Sequence, residues 1–324
     1  MANDRGRLDL LDRRLLFFTG KGGVGKSSVA AAMALLAADR GKRVLLVEVD
    51  AKGNLSALFD HAPVGFEPVV VHPNLHVMQM RTDESLREYL RIHVRVPVLG
   101  GIGPLANVLE FVANAAPGVK EILTVGKVCW EVHEAVEGRA DWDLVVVDAA
   151  ASGHVIAQLD APRAIRELVQ VGRVREQTEW MIELLAAPEI TALNVVTTPE
   201  ELPVSETIEL VERVRDELDV PLGVVVANRV LPEPLIRGDE PALAGLRGTE
   251  ALAVLDRSLG PGAPAVLDAL DLASALRSSR APHLARLRSV LDVPIVNLPA
   301  LFTSEHASGI VGDLAAALAE ELGE

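Results

Sequence analysis

Seven short apolar runs punctuate the chain, at residues 15–19, 44–49, 75–80, 144–147, 192–197, 222–227 and 294–298. Most are continuous Val, Leu and Ile. Strands covered on both faces read this way, whereas a strand with one wet face alternates apolar and polar residues. Longer Ala/Leu-rich segments of helical character separate the runs. The order predicts an α/β fold: a doubly wound, mostly parallel sheet with right-handed crossovers. In such folds ligands gather beyond the carboxyl ends of the strands.

Two stretches break the rhythm. Residues 81–138 read as largely helical between two strands, interrupted by Gly100-Gly101-Ile102-Gly103-Pro104 and by Pro117-Gly118. A block this long exceeds an ordinary crossover and predicts a helical insertion within a single domain spanning residues 1–324. Residues 229–264 are rich in Pro and Gly with poor periodicity, which predicts a surface loop carrying one short helix at 249–258.

Composition narrows the function. Apolar residues make up 49% of the chain but aromatics only 3%, so Ala, Leu and Val must do the packing. A net charge of −15 argues against a broad electrostatic grip on nucleic acid or anionic lipid. The single cysteine, Cys129, permits neither an internal disulfide nor a multi-thiolate metal site, which suits a reducing cytoplasm. Residues 1–14 lack the apolar core of a signal peptide, and no run of about 20 apolar residues is present to span a bilayer. These features predict a cytoplasmic protein.

The chemistry concentrates in one octet, Gly20-Lys21-Gly22-Gly23-Val24-Gly25-Lys26-Ser27. It fits the phosphate-binding pattern G-x-x-x-x-G-K-[ST], and it lies between the first apolar run and a helical segment, the context that motif needs. Backbone N–H groups of the loop and the helix start converge there on anionic oxygens. Lys26 is placed to reach the β- and γ-phosphates, and the Ser27 hydroxyl to ligate Mg²⁺. The same letters satisfy a dinucleotide fingerprint through Gly20, Gly22 and Gly25. That reading has no use for Lys26-Ser27, and the acids at Glu48 and Asp50 come later than it usually wants. Two of the chain's six lysines fall inside the octet, which also favours a nucleoside triphosphate.

A triphosphatase needs carboxylates beside the cradle. Asp50 ends the second run in a small-residue turn, Asp50-Ala51-Lys52-Gly53-Asn54. Asp148 ends the run Val145-Val146-Val147, as a Walker B acid does, with Gly153 following where backbone can approach a γ-phosphate. Lys21 stands at a position where an ordinary phosphate loop requires no lysine. Its side chain is placed either to fold over its own nucleotide or to cross a two-fold axis to a partner's, adding a cation as an arginine finger does.

The octet resembles the deviant Walker A motif of dimeric ATPases in the nitrogenase-iron-protein, Min and Par superclass. Within it the chain is similar to the branch of arsenite-pump and tail-anchored-protein targeting ATPases. Asp148-Ala149-Ala150-Ala151-Ser152-Gly153-His154 resembles the D-T-A-P-T-G-H switch. Ala116-Pro117-Gly118-Val119-Lys120-Glu121 resembles an M-P-G-x-x-E helix start, and Pro199-Glu200 through Glu206-Thr207 a P-E-x-L-x-x-x-E-T stretch. Ala227-Asn228-Arg229 occupies a V-N-Q/R place. Thr124-Val125-Gly126-Lys127 is similar to the actinobacterial two-gene type, in which an A subunit pairs with a related B partner. The resemblance implies that Lys21 is the signature lysine and that Lys26, Ser27 and Ser28 hold phosphates and metal. It implies that Asp50 positions water, that Asp148 is the Walker B acid and that Asn228 contacts adenine. ATP and Mg²⁺ are the implied ligands, and a homodimer or a heterodimer with a paralogous ATPase the implied assembly.

The departures matter too. Ala51 and Ala151 replace switch prolines, and the zinc-binding cysteine pair of the homodimer interface is missing. One cysteine cannot make the soft three-thiolate site arsenite favours, so arsenite transport is not expected. The apolar stretches at 105–119, 122–136 and 171–187 leave two readings, a groove for a hydrophobic client or helices packed on one another or on a partner. Flexible Met-rich walls would favour the groove, but Met181 is the only methionine there, so packing is the expectation. Two further alternatives share the motif. A Par/Min-like positioning ATPase calls for a basic surface, which the acidic residues 308–324 do not supply. A metabolic ligase calls for a second small-molecule pocket.

Overall fold

The apolar runs become strands of one sheet in the computed structural model, which describes residues 10–49, 55–93, 118–136, 142–232, 245–246, 248–259, 262–302 and 306–323. In chain order the elements are β1 (Leu15–Gly20), α1 (Lys26–Asp39), β2 (Val44–Glu48), a 3₁₀ turn (Ser56–Phe59), β3 (Val69–His72), β4 (Leu75–Gln79), α2 (Thr82–His93) and α3 (Val119–Val136). Then come β5 (Leu144–Asp148), α4 (Ser152–Leu168), α5 (Arg173–Ala186), β6 (Thr191–Thr197), α6 (Glu201–Glu217) and β7 (Leu222–Val230). The last elements are α7 (Thr249–Leu259), α8 (Ala263–Val290), β8 (Ile295–Pro299) and α9 (Ala307–Leu322).

The strand order is β3-β4-β2-β5-β1-β6-β7-β8, with every pairing parallel except β3 against β4. The chain passes from β1 over β5's place to β2, so β5 lies between the two strands that lead into the octet and into Asp50. The register aligns Phe18 of β1 and Glu48 of β2 with Asp148 of β5.

Alternate side chains of each central strand feed opposite layers. Leu15, Phe17, Leu45, Val47, Val145 and Val147 join one core with α3, α4, α5, α6 and α8. Leu16, Phe18, Val44, Leu46 and Val146 join the other with α1 and α9. Both faces being covered explains why these strands read as unbroken apolar runs. Each Leu or Val so buried contributes about 1.5–3 kcal/mol.

Several boundaries differ from expectation, each for a local reason. β3 forms a hairpin with β4 through Pro73-Asn74, Asn74 adopting φ 62°. It is a half-exposed edge strand flanked by Pro68 and Pro73, so its run is short and its signal weak. α1 starts at Lys26 rather than two residues later, because Gly25 at φ 94° provides the entry turn. β7 continues past Ala227 and takes in Asn228 and Arg229. Pro264 opens α8 instead of ending the loop, its ring suiting a first helical turn. Of residues 81–138, expected as an insertion, α2 and α3 are described and pack on each other, while α3 also packs on α4 and α5. Residues 94–117 and 137–141, including Gly100 to Pro104 and Ala116-Pro117, lie outside the described residues.

Candidate active site

The octet leaves β1 at Gly20 and enters α1 at Lys26, and two glycines make that path possible. Gly20 has φ 145°, and a Cβ there would stand 2.1 Å from the carbonyl oxygen of Val196 in the neighbouring strand. Gly25, at φ 94°, would drive a Cβ to 2.4 Å from Asn228 Nδ2. Between them Gly22 and Gly23 form an exposed tip, and Val24 is buried beneath it.

Asn228 anchors the loop from below. Its Nδ2 donates to the Val24 carbonyl at 2.8 Å, and its Oδ1 accepts from the Arg229 N–H at 2.9 Å. Thr19 Oγ1 donates to the Ala150 carbonyl at 2.8 Å, joining the end of β1 to the segment after β5. Neither α1 nor α4 has a side-chain cap or an acidic residue in its first turn, so both N-terminal ends keep their positive dipoles for an anion.

The two lysines are held differently. The Lys26 ammonium donates to the Lys21 carbonyl at 3.2 Å, which arches it over the loop. Lys21 reaches the other way, to Glu206 Oε1 on α6, at 2.5 Å. Glu206 belongs to the P-E-x-L-x-x-x-E-T stretch but was not expected at the site. The available signal is topological: β6 lies beside β1, so the first turns of the helix after β6 fall next to the octet.

Ser27 and Asp148 meet across β1 and β5. The Ser27 hydroxyl donates to Asp148 Oδ2 at 2.6 Å, and Asp148 is only 8% exposed. A hydroxyl that gives its proton to a carboxylate turns its lone pairs outward, and the pair presents hard oxygen donors of the kind Mg²⁺ takes. Among the described residues no group of three or more His, Cys, Asp or Glu forms a softer metal site. These residues fit Mg²⁺.

The other expected residues are placed as follows. Ser28 follows Ser27 in the first turn of α1, partly exposed. Gly153 is exposed at the start of α4, with nothing within 4 Å of where a Cβ would be. Asp50 lies outside the described residues, but the Val49 N–H before it donates to the Asp148 carbonyl at 3.2 Å, which brings the end of β2 to Asp148. Cys129 is fully buried in α3, where burial pushes its thiol well above the usual range. No helix among the described residues is long and apolar enough to cross a membrane.

The chain is similar in sequence to known proteins. The anion-transporting ATPase family model matches residues 13–181 and 166–247. ATPase BagA of Mycobacterium tuberculosis is 33% identical over 228 residues, 68% of this chain and 66% of that protein. The arsenical pump-driving ATPase of Acidiphilium multivorum is 31% identical over 329 residues, 93% of this chain but 54% of its own length. The ATPase ASNA1 homolog of Entamoeba histolytica is 25% identical over 256 residues, 67% of this chain and 76% of that protein. The match with BagA therefore covers slightly under two thirds of that relative.

Proposed function

The chain belongs to the anion-transporting ATPase family, and from that premise we propose that it hydrolyses ATP as a dimeric, Mg²⁺-dependent switch. The observation that carries the reading is the Ser27–Asp148 pair beneath an uncapped glycine loop. The loop N–H groups, with Lys26, Ser27 and Ser28, hold the phosphates. Ser27 and Asp148 would hold Mg²⁺, with Asp50 as the second expected carboxylate, and the ion would supply charge neutralisation at the phosphates. Asp50 positions the attacking water, Gly153 lets the start of α4 sense the γ-phosphate, and Asn228 lies against adenine.

Lys21 acts at the γ-phosphate of its own nucleotide or, across the two-fold axis, of the partner's. The partner is a second copy or a paralogous ATPase, in the cytoplasm. Closing around ATP moves α4, and through it the helical layer of α2, α3 and α5, where a protein partner or hydrophobic client binds. Arsenite is not the cargo, because one thiol cannot make a three-thiolate site and burial pushes this one well above the usual thiol range.

The test is to replace Lys21 with Ala and measure ATP binding and turnover separately. Loss of hydrolysis with retained binding supports the dimeric switch, and unchanged turnover overturns it. Native mass measurement with ATP is the companion, since a monomer alone in ATP contradicts the two-fold reading.

A further inference from the structure

Helices α2, α3, α4 and α5 do not close on one another. They leave a cavity of about 360 Å³, walled by Ile122 and Trp130 of α3, Ile165 of α4, Met181 of α5, and Val169 in the turn after α4. Its polar neighbours are engaged with one another. The Tyr89 hydroxyl donates to Gln177 Oε1 at 2.8 Å, and Thr178 Oγ1 to the Arg175 carbonyl at 2.8 Å. The Lys127 ammonium lies 2.8 Å from Glu88 Oε2 and 2.7 Å from Glu131 Oε1. What the wall offers a ligand is carbon.

Size and shape select the ligand. A membrane-spanning helix is about 10 Å wide and 30 Å long, a cylinder of roughly 2,000 Å³, several times this space. The cavity instead falls in the range of small-molecule sites, about 300–1,000 Å³. Its apolar lining also reaches the surface. Val174 lines the cavity and is 40% exposed, while Leu168 and Val171 beside it are 79% and 82% exposed. The cavity thus meets solvent at Val174, in the first turn of α5 beside the α4–α5 turn.

Gly126 keeps room in the cavity. It lies in the middle of α3, where glycine weakens a helix, and a Cβ there would stand 3.2 Å from Met181 Cε, the movable tip of a flexible side chain. We propose that this cavity binds the aliphatic chain of a small single-chain amphiphile, its polar end lying at the α4–α5 turn. The cavity lies in the helical layer to which the proposed function gives a client, but its argument uses no nucleotide chemistry, so loss of the ATPase reading leaves it untouched.

Trp130 and Trp180 line the cavity and report on it. The probe is a terminally brominated undecanol, whose bromine quenches tryptophan fluorescence on contact. Saturable quenching at one probe per chain is expected. Gly126→Leu fills the space, favours the helix, and is expected to weaken binding about tenfold or more with the melting midpoint kept. Ile122→Phe, from the opposite wall, gives the same loss if the first variant does not fold. Absent saturable quenching in the wild type, or equal affinity in a folded filled variant, overturns the proposal. So does stoichiometric displacement of the probe by a 20-residue apolar helical peptide, which would make the occupant a helix.

Discussion

Lys21 Nζ lies 2.5 Å from Glu206 Oε1, so the second residue of the phosphate loop is tied to the chain's own α6. The side chains are 34% and 41% exposed. An ion pair this open contributes about 0–1 kcal/mol, a hold that a phosphate can outcompete. Glu206→Gln should therefore shift the melting midpoint by no more than about 2 °C. Releasing the ammonium should raise ATP turnover a few-fold in a steady-state assay. A fall in turnover would show that Glu206 supports the lysine's working position.

Asp148→Asn keeps an oxygen that accepts from Ser27 but removes the charge. The fold should survive, with nucleotide binding close to wild type by fluorescent-analogue titration. Turnover should fall by about 100-fold, the scale of losing one electrostatic group at a transition state. The Mg²⁺ concentration for half-maximal activity should rise, which titration of the metal reads directly.

The loop glycines should separate cleanly. Gly20→Ala forces a Cβ to 2.1 Å from the Val196 carbonyl in a central strand, where nothing can give. It should lower stability by more than about 2 kcal/mol in urea unfolding. Gly22→Ala meets nothing within 4 Å and should leave stability within about 0.5 kcal/mol.

These contrasts mark what was legible in the sequence. β1, β2, β5 and β6 were readable because both faces are covered and the apolar run is unbroken. β3 was not, because an exposed edge between two prolines carries little of that signal. The octet and the end of β5 were readable because glycine spacing and a terminal carboxylate are local patterns. The Lys21–Glu206 pair spans 185 residues and depends on β6 lying beside β1, which only strand order reveals. Asn228 was expected at adenine through resemblance alone, and its bond to the Val24 carbonyl had no sequence signal at all.

Lys127 joins the helical layer to the sheet through Glu88, Glu131 and the ring of Phe66, and Glu131 also accepts from Trp142 Nε1. Burial pulls its pKa down, but the two carboxylates more than offset this and hold it above the ordinary 10.5. A lysine raised on folding contributes stability below its unfolded pKa and loses it as pH rises through the folded value. Lys127→Met should cost about 3 kcal/mol near neutrality, because two carboxylates lose their partner. The gap to wild type should shrink only as pH climbs past 10.5, which urea titrations across the alkaline range would follow.

Cys129 should resist alkylation in the native protein, being fully buried with its thiol pushed up by that burial. Maleimide labelling should be at least about 100-fold slower than in urea, and arsenite should leave ATP turnover unchanged. Arsenite stimulation would overturn the exclusion of that cargo.

The enclosure of α1 has a mechanical meaning. Every residue from Val29 to Ala38 is buried, between the sheet on one side and α9 on the other. A rod gripped along its length cannot recoil when a phosphate leaves its tip. On the proposed function the cradle is thus an anvil, and motion on hydrolysis would fall to what rests against it, the exposed start of α4 and the Lys21 side chain. Stiffening α1 further should change nothing in the cycle, whereas crosslinking α4 to the sheet should stall it.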